Sequence, residues 1–361
     1  MIIGIPTLSA AAALFLAVLS DAIPTGTYNV PRNSNFAPWG KIKNIVVFGD
    51  SYTDEGRLSY FINNNGEAPP VGYIQPEGLV TASGGKVWAR FAAESTGVTL
   101  YNYAVSGAVC SNDLTWRTFP LINRTFPGIN DYELPAFKAD FPKNSLRLDM
   151  DETLFTIWIG TNDLGGDAII SGLPDVGLTN YTSCVIDTMS ELYQYGARNF
   201  ALLNLAPLEH APVYAPESEG GFAGPSPTWE DRGDNATAIS RRMRDLTQGA
   251  NEIYKYRIPF EVVAGSLKGA KVAVMDTYGL MTDIRNNPAE YLTGPLPLNV
   301  TGYNIHCDPL DTSVCTTYRP NDRDSFMWFD QLHPSEETSR VIGEEFANVL
   351  EGKLGEWITY W

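Results

Sequence analysis

Five short runs of almost continuous apolar residues are spaced along this chain, and polar or helical stretches separate them. Runs of this length without polar alternation are typical of strands that are buried on both faces of a parallel sheet. The five predicted strands are NIVVFG (44–49), LYNYAV (100–105), LFTIWIG (154–160), NFALLNL (199–205) and KVAVMDT (271–277).

Helical spacing of apolar residues occupies several of the intervening stretches. It covers 86–96 and 181–197, and it predicts a last helix from about residue 335 to residue 354. The alternation of strand and helix predicts an α/β fold, namely a three-layer α/β/α sandwich around a mainly parallel five-stranded sheet. We expect a single domain over 40–361.

Two long stretches do not follow this pattern. Residues 110–135 are rich in Asn, Pro and aromatic residues, and residues 206–236 are rich in Pro, Gly and acidic residues. Irregular segments of this length in a compact domain are usually binding loops or lids. Because ligands of open α/β sheets bind beyond the carboxyl ends of the strands, we expect the chemistry there.

The first residues predict export from the cell. An apolar run ends in small residues near position 22, so residues 1–22 are predicted to be a signal peptide; the run is too short to span a bilayer comfortably. Four N-x-[ST] sequons agree with a secreted, extracellular glycoprotein. They lie at Asn123, Asn180, Asn235 and Asn299.

The four cysteines suit an oxidising compartment. Cys307 and Cys315 are close in sequence and are predicted to form a disulfide across a short loop. Cys110 and Cys184 either form a second disulfide or remain thiols, and the sequence does not decide between the two. We do not expect zinc at Cys307, Cys315 and His306, because no fourth ligand follows at a usual spacing.

The acidic composition excludes some partners. The chain has 25 Lys and Arg against 42 Asp and Glu, a formal net charge of −17, and 44% of its residues are hydrophobic. A folded surface of this charge repels nucleic acid and anionic lipid head groups. We therefore expect no nucleic-acid partner, no membrane insertion, and poor binding of acidic polymers.

A candidate nucleophile and its base lie at opposite ends of the chain. Ser51 follows the first strand in GDS, and Asp330 and His333 lie in DQLHP shortly before the last helix. The D-x-x-H spacing lets Asp330 bind one imidazole nitrogen while the other faces a serine hydroxyl, which needs a base to attack an ester. His210 and His306 lack a carboxylate three residues earlier and are weaker candidates. 

Two further blocks follow later strands: AVSGAVC with Gly107, and GTND with Asn162. In this order the blocks resemble the GDSL, or SGNH, hydrolase superfamily, over nearly the whole chain. The resemblance implies a flavodoxin-like sandwich, a triad of Ser51, His333 and Asp330, and an oxyanion hole formed by Ser51, Gly107 and Asn162. It implies no cofactor and no metal. Asp50 and Asp54 are expected to organise the nucleophile turn.

Within that superfamily, FGDSYTDEGR, NYAVSGAVCSND and IWIGTNDLG are most similar to secreted fungal esterases of carbohydrate esterase family sixteen. This implies removal of acetyl groups from small sugars such as acetylated xylo-oligosaccharides. We also expect the protein to be a monomer. Trp116, Phe119 and Phe126 could pack against sugar rings, or they are ordinary core. The alternatives are a lipase or phospholipase of the same superfamily and a non-catalytic sugar-binding protein on this fold.

Overall fold

A six-stranded sheet forms the centre of the computed structural model, which describes residues 38–119, 124–141, 148–226, 228–307, 314–319 and 321–361. Residues 36–361 form one compact unit. The predicted signal peptide (1–22) and the sequon at Asn123 lie outside the described residues, so they stay predictions, as does the domain boundary at residue 40.

Short stretches of extended chain account for twelve strands in the described residues. Six belong to the central sheet, and the others form three two-stranded sheets at its periphery. The strands are β1 (Asn44–Gly49), β2 (Thr99–Asn102), β3 (Thr118–Phe119), β4 (Arg124–Thr125), β5 (Thr153–Trp158), β6 (Asn199–Leu203), β7 (Lys271–Met275), β8 (Asn299–Tyr303), β9 (Ile305–Cys307), β10 (Cys315–Thr317), β11 (Phe326–Trp328) and β12 (Ile358–Tyr360).

The central sheet has the strand order β12-β7-β6-β5-β1-β2. Five of its strands, β1, β2, β5, β6 and β7, are parallel to one another. If these five are renumbered 1 to 5 along the chain, their order across the sheet is 2-1-3-4-5, which is that of the flavodoxin-like fold. The predicted mainly parallel α/β fold is thus confirmed. The sheet gains a sixth strand that was not predicted, because β12 pairs antiparallel with β7 at the edge.

Eight α-helices in the described parts of the chain connect and cover these strands. The predicted helices at 86–96, 181–197 and 335–354 are present with boundaries that differ by up to four residues. The helices are α1 (Arg57–Asn63), α2 (Trp88–Thr96), α3 (Leu134–Asp140), α4 (Thr161–Leu164), α5 (Leu178–Gln194), α6 (Ala236–Val263), α7 (Thr277–Asn286) and α8 (Glu336–Leu350).

Large aromatic side chains fix helices on both faces of the sheet. On one face, Phe137 of α3 packs against Phe155 of β5 with ring centroids 5.4 Å apart. On the other, Trp88 of α2 lies 5.9 Å from Trp158 of β5 and 4.8 Å from Phe346 of α8. Burial of such rings contributes several kcal/mol each, about 25 cal/mol per Å² of apolar surface, and it produces the three-layer arrangement.

Four of the five predicted strands end two or three residues earlier in the structure than predicted. β2 ends at Asn102 and not at residue 105, since the Asn102 Oδ1 accepts the N–H of Ala104 at 3.0 Å. β5 ends at Trp158, and Gly160 then adopts a φ of +129°. A side chain at Gly160 would also clash with the Tyr181 hydroxyl, 2.2 Å from the Cβ position.

The two stretches without periodicity contain short elements in the residues that the structure describes. Residues 110–135 contain the β3–β4 hairpin and a π-helix at Ile129–Glu133, while 206–236 contains 3₁₀ turns at Leu208–His210 and Glu217–Glu219. The predicted disulfide between Cys307 and Cys315 is present. Cys110 and Cys184 also pair, which decides the alternative that the sequence left open.

Among the described residues, none of the helices is both long enough and apolar enough to span a bilayer. Asn180 and Asn235 are exposed at the starts of α5 and α6, and Asn299 is half-buried. Glycosylation at these positions stays a prediction.

Candidate active site

Ser51 lies in a tight turn at the carboxyl end of β1, in the middle of the parallel sheet. The carbonyl of Asp50 accepts the N–H groups of Thr53 and Asp54, both at 3.0 Å, and this closes the turn. Because β1 lies between β2 and β5, the segments that follow all three strands meet at this edge. Ser51 is only 5% exposed, yet its hydroxyl faces a cleft.

The structure brings Ser51, His333 and Asp330 together across 282 positions of sequence. The His333 Nε2 lies 2.8 Å from the Ser51 Oγ, and the His333 Nδ1 lies 2.8 Å from the Asp330 Oδ2. The Asp330 Oδ1 also accepts the N–H groups of Leu332 and His333, each at 2.8 Å. This arrangement can take a proton from the serine hydroxyl and stabilise the resulting imidazolium.

The electrostatics of the pair favour its charged form. Burial lowers the pKa of His333, but the charge and hydrogen bond of Asp330, with a further contribution from Asp50, outweigh it and raise the pKa above its ordinary value of 6.5. Burial raises the pKa of Asp330, while the charge of His333 and the hydrogen bonds to its carboxylate lower it overall. Asp330 is therefore a carboxylate at neutral pH.

Gly107 and Asn162 follow β2 and β5 and lie beside Ser51 in the same cleft. Gly107 has a φ of +88°, and a Cβ there would be 2.4 Å from the Phe126 ring, so only glycine fits. The Asn162 Nδ2 donates one hydrogen bond to the carbonyl of Ala108 at 2.8 Å and keeps its second N–H. Within the described residues the N–H groups of Ser51 and Gly107 have no partner. These donors can bind an oxyanion.

Asp54 connects the nucleophile turn to the Gly107 turn, in agreement with its expected organising role. Its Oδ1 accepts the N–H groups of Gly56 and Arg57 at 2.7 and 2.6 Å, and its Oδ2 accepts that of Ser106 at 2.8 Å. The Asp50 Oδ1 accepts the N–H of Tyr52 at 3.0 Å. Burial raises the pKa of Asp50 to about 6, while the Tyr52 N–H and His333 act in the opposite direction.

Three buried side chains support the site and were not found from the sequence. The Glu133 carboxyl accepts the N–H of Gly49 at 2.9 Å and that of Val105 at 3.2 Å, and so joins the ends of β1 and β2. Asp163 accepts the N–H of Cys110 at 3.0 Å, and burial raises the pKa of Asp163 to about 7. Tyr52 donates to the carbonyl of Leu332 at 2.8 Å. Their partners are remote in sequence, so no local pattern identifies them.

The cleft above Ser51 has a volume of about 310 Å³. Phe126 lines it, whereas Trp116 is 68% exposed and Phe119 is buried; neither of these two lines the cleft. Only one of the three aromatic residues singled out in the sequence is therefore in position to contact a ligand there.

The other two histidines lie outside this cleft. Burial lowers the pKa of His210 to about 4, and nearby Arg285 acts in the same direction. His306 is exposed and stacks on Tyr303 with ring centroids 3.9 Å apart. The neighbouring Cys307 is in a disulfide, so its sulfur is not a zinc ligand. In the described part of the chain, no group of three or more His, Cys, Asp or Glu side chains is arranged around a metal position.

Comparison with known proteins agrees with this geometry. Residues 45–346 match the family described as GDSL-like Lipase/Acylhydrolase. The chain is 38% identical to an acetylesterase of Hypocrea jecorina, over 90% of this chain and 93% of the relative. It is 26% identical to an acetylesterase of Thermothelomyces thermophilus, over 86% and 89%.

A solved acetyl-xylooligosaccharide esterase from Geobacillus aligns with 88% of this chain and 97% of its own, at 15% identity and a TM-score of 0.39. The family match covers most of the chain and includes every residue of the site described above. The chain therefore belongs to the GDSL-like lipase/acylhydrolase family and is a carboxylic ester hydrolase.

Proposed function

We propose that this chain is a secreted, monomeric acetylesterase that removes acetyl groups from small carbohydrates such as acetylated xylo-oligosaccharides. The observation that carries the proposal is the contact of Ser51, His333 and Asp330 at the base of a cleft of about 310 Å³, which suits a small acyl group. The acetylesterase relatives support the same substrate class. Because the chain is an ester hydrolase, we do not retain the alternative of a non-catalytic sugar-binding protein.

In the first half of the proposed reaction, the Ser51 Oγ attacks the acetyl carbonyl carbon. The His333 Nε2, at 2.8 Å, takes the hydroxyl proton, and Asp330 stabilises the imidazolium. The carbonyl oxygen gains the negative charge and binds the N–H groups of Ser51 and Gly107 and the free N–H of Asn162. The carbon–oxygen bond to the sugar then breaks, and the sugar oxygen takes the proton from His333.

In the second half, water attacks the acetyl-serine carbonyl. His333 removes a proton from this water and later returns it to the Ser51 Oγ as the acyl bond breaks. Acetic acid leaves and loses its remaining proton to the solvent, and the enzyme returns to its starting state with no net change in protons on the triad. Each half-reaction uses the same oxyanion donors, so loss of one donor slows both.

A series of p-nitrophenyl esters from acetate to octanoate, together with acetylated xylo-oligosaccharides, tests this proposal. We expect kcat/KM to fall as the acyl chain grows beyond acetate, and acetate to be released from the oligosaccharides. Each added methylene would contribute about 0.8 kcal/mol of burial in an apolar acyl channel, so a lipase should show the opposite trend. Faster cleavage of octanoate than of acetate would replace the acetylesterase proposal with the lipase alternative.

A further inference from the structure

Besides His333 and Tyr214, one ionisable side chain among the described residues lines the cleft above Ser51, and it is a cation. Arg117 lies just before β3 and shares the cleft with Gly107 and Asn162. Its position is fixed at the backbone, since its N–H donates to the Asn112 Oδ1 at 3.1 Å and its carbonyl accepts the N–H of Phe126 at 2.9 Å. These two hydrogen bonds therefore fix the Arg117 backbone at the wall of the cleft.

Most N–H donors of the Arg117 guanidinium form no hydrogen bond with the described residues. Its Nη1 donates to the carbonyl of Gly107 at 2.8 Å, and its Cζ lies 5.3 Å from the Phe126 ring centroid. An arginine side chain has five N–H donors, and only this one is bonded within the described residues. Arg117 is half-buried. Burial lowers its pKa, while the charges of Asp163, Tyr214, Asp50 and Asp167 act in the opposite direction.

Two other arginines of the described residues, Arg57 and Arg90, are bonded to protein groups through two or three of their nitrogens, whereas the buried Arg232 keeps an unpartnered Nη2. Arg57 donates to the carbonyl of Asn102 with its Nε and Nη2 and to the Tyr132 hydroxyl with its Nη1. Arg90 forms an ion pair with Glu55 at 2.8 Å. Arg117, in contrast, forms no ion pair with any carboxylate in the described ranges. Arg117 lines the cleft in which a substrate of Ser51 would bind.

We propose that Arg117 binds a carboxylate on the substrate, so that the cleft favours acetyl esters of acidic sugars, such as uronic acid derivatives, over neutral ones. The sugar part of this inference rests on the proposed function. A guanidinium and a carboxylate can form a bidentate, charge-assisted pair, which suits one carboxylate in the cleft.

The net charge of −17 does not oppose this selectivity for small substrates. Surface charges are screened over about 8–10 Å at physiological ionic strength, whereas Arg117 would contact the ligand directly. A long acidic polymer would run along the acidic surface and be repelled, while a single uronic acid residue would meet mainly the cation. The inference therefore concerns mono- and oligosaccharides.

Two matched ligand pairs test the inference. The first is an acetylated methyl glucuronoside and its carboxamide analogue, compared as substrates by kcat/KM. The second is the unacetylated pair, compared as inhibitors of p-nitrophenyl acetate hydrolysis. The carboxamide keeps the shape and removes the charge. We expect the carboxylate to be favoured about tenfold or more in both pairs, as for a hydrogen-bonded charge pair.

The variant Arg117→Gln should reduce the preference for the carboxylate over the carboxamide to near one in both pairs. It also loses the hydrogen bond to the Gly107 carbonyl, which can change the absolute rate but affects both members of a pair equally. Arg124→Gln is the matched control, because Arg124 lies on β4 of the same hairpin, is exposed, and pairs with Glu67 outside the cleft. This control changes the net charge equally and should keep the preference.

Equal inhibition by the carboxylate and the carboxamide, or an unchanged ratio in Arg117→Gln, would overturn the inference. Failure of the proposed function would look different. In that case neither acetylated sugar would be hydrolysed, while the carboxylate would still inhibit reporter hydrolysis more strongly and only in proteins that retain Arg117.

Discussion

The two halves of the candidate triad are held in place by different means. Ser51 follows β1, a strand whose six residues are all buried and which pairs with both β2 and β5. Asp330 and His333 lie in the segment between β11 and α8, and β11 pairs with β8, outside the central sheet. The nucleophile is thus positioned by the sheet, and its base by a short loop.

A few hydrogen bonds hold that loop. The Phe329 N–H donates to the His333 carbonyl at 2.8 Å, the Tyr52 hydroxyl donates to the Leu332 carbonyl at 2.8 Å, and Asp330 accepts two N–H groups of its own loop. Sheet packing on both sides of β1 therefore keeps Ser51 in position even when a single contact is lost. The His333 position depends on single contacts, each worth about 1 kcal/mol.

Removing either reacting group should have the largest effect. We expect Ser51→Ala and His333→Ala each to lower kcat on p-nitrophenyl acetate by about 10⁴–10⁶-fold, because the two groups act as a unit. The double variant should be scarcely worse than either single one. Steady-state kinetics measures the loss, and an unchanged circular dichroism spectrum is the control for folding. Strictly multiplicative losses in the double variant would contradict the coupling.

Asn162→Ala tests an oxyanion donor that follows a strand of the central sheet, β5. Loss of one oxyanion donor should reduce kcat by about 10²–10³-fold with a small change in KM, since the contact strengthens in the transition state. The variant also loses the hydrogen bond from Asn162 to the Ala108 carbonyl. Kinetics on the acetate ester separates the two parameters. An effect confined to KM would make Asn162 a ground-state binding residue.

Tyr52→Phe tests the loop side, because it removes the hydrogen bond to the Leu332 carbonyl and keeps the buried ring. We expect kcat to fall about tenfold through a displaced His333, and the free energy of unfolding to fall by about 1 kcal/mol. Tyr60→Phe is a suitable control, since this ring lies on α1 and packs at an angle against Tyr73. Wild-type kcat in Tyr52→Phe would show that the loop is held without this contact.

The pH dependence should show the smallest change. His333 must be neutral to accept the Ser51 proton, so activity should fall as the pH drops through the His333 pKa. Because Asp330 raises that pKa, the midpoint of the rising limb of kcat/KM should lie above 6.5. In Asp330→Asn the charge is lost and burial remains, so the limb should move to lower pH as the rate falls. A shift to higher pH would contradict this electrostatic account.

Much of the framework could be predicted from the sequence. The parallel strands β1, β5 and β6 are buried at every position, so each is a nearly continuous apolar run that differs clearly from its surroundings. The edge strand β12 has three residues and pairs on one side only, so it has no such run. The β3–β4 hairpin is shorter still, and side-chain contacts such as that of Asn112 with Asp131 hold its surroundings.

The residues of the site likewise divide into those that could be predicted from the sequence and those that could not. Ser51, Gly107, Asn162, Asp330 and His333 could be named because they occur in short, ordered motifs, and the structure brings them to one cleft. The supporting side chains could not be named, since their partners are fixed only by folding. The Glu133 carboxyl contacts Gly49, 84 positions away, and the Tyr52 hydroxyl contacts Leu332, 280 positions away.

The central claim, that Ser51 is the nucleophile and His333 its base, is tested most directly by covalent labelling with phenylmethylsulfonyl fluoride. We expect one sulfonyl group per chain on the Ser51 peptide by mass spectrometry, with activity lost in proportion to labelling. Labelling should slow as His333 becomes protonated and should be absent in Ser51→Ala. Complete labelling of Ser51 with activity retained, or inactivation with the label on another residue, would contradict the account.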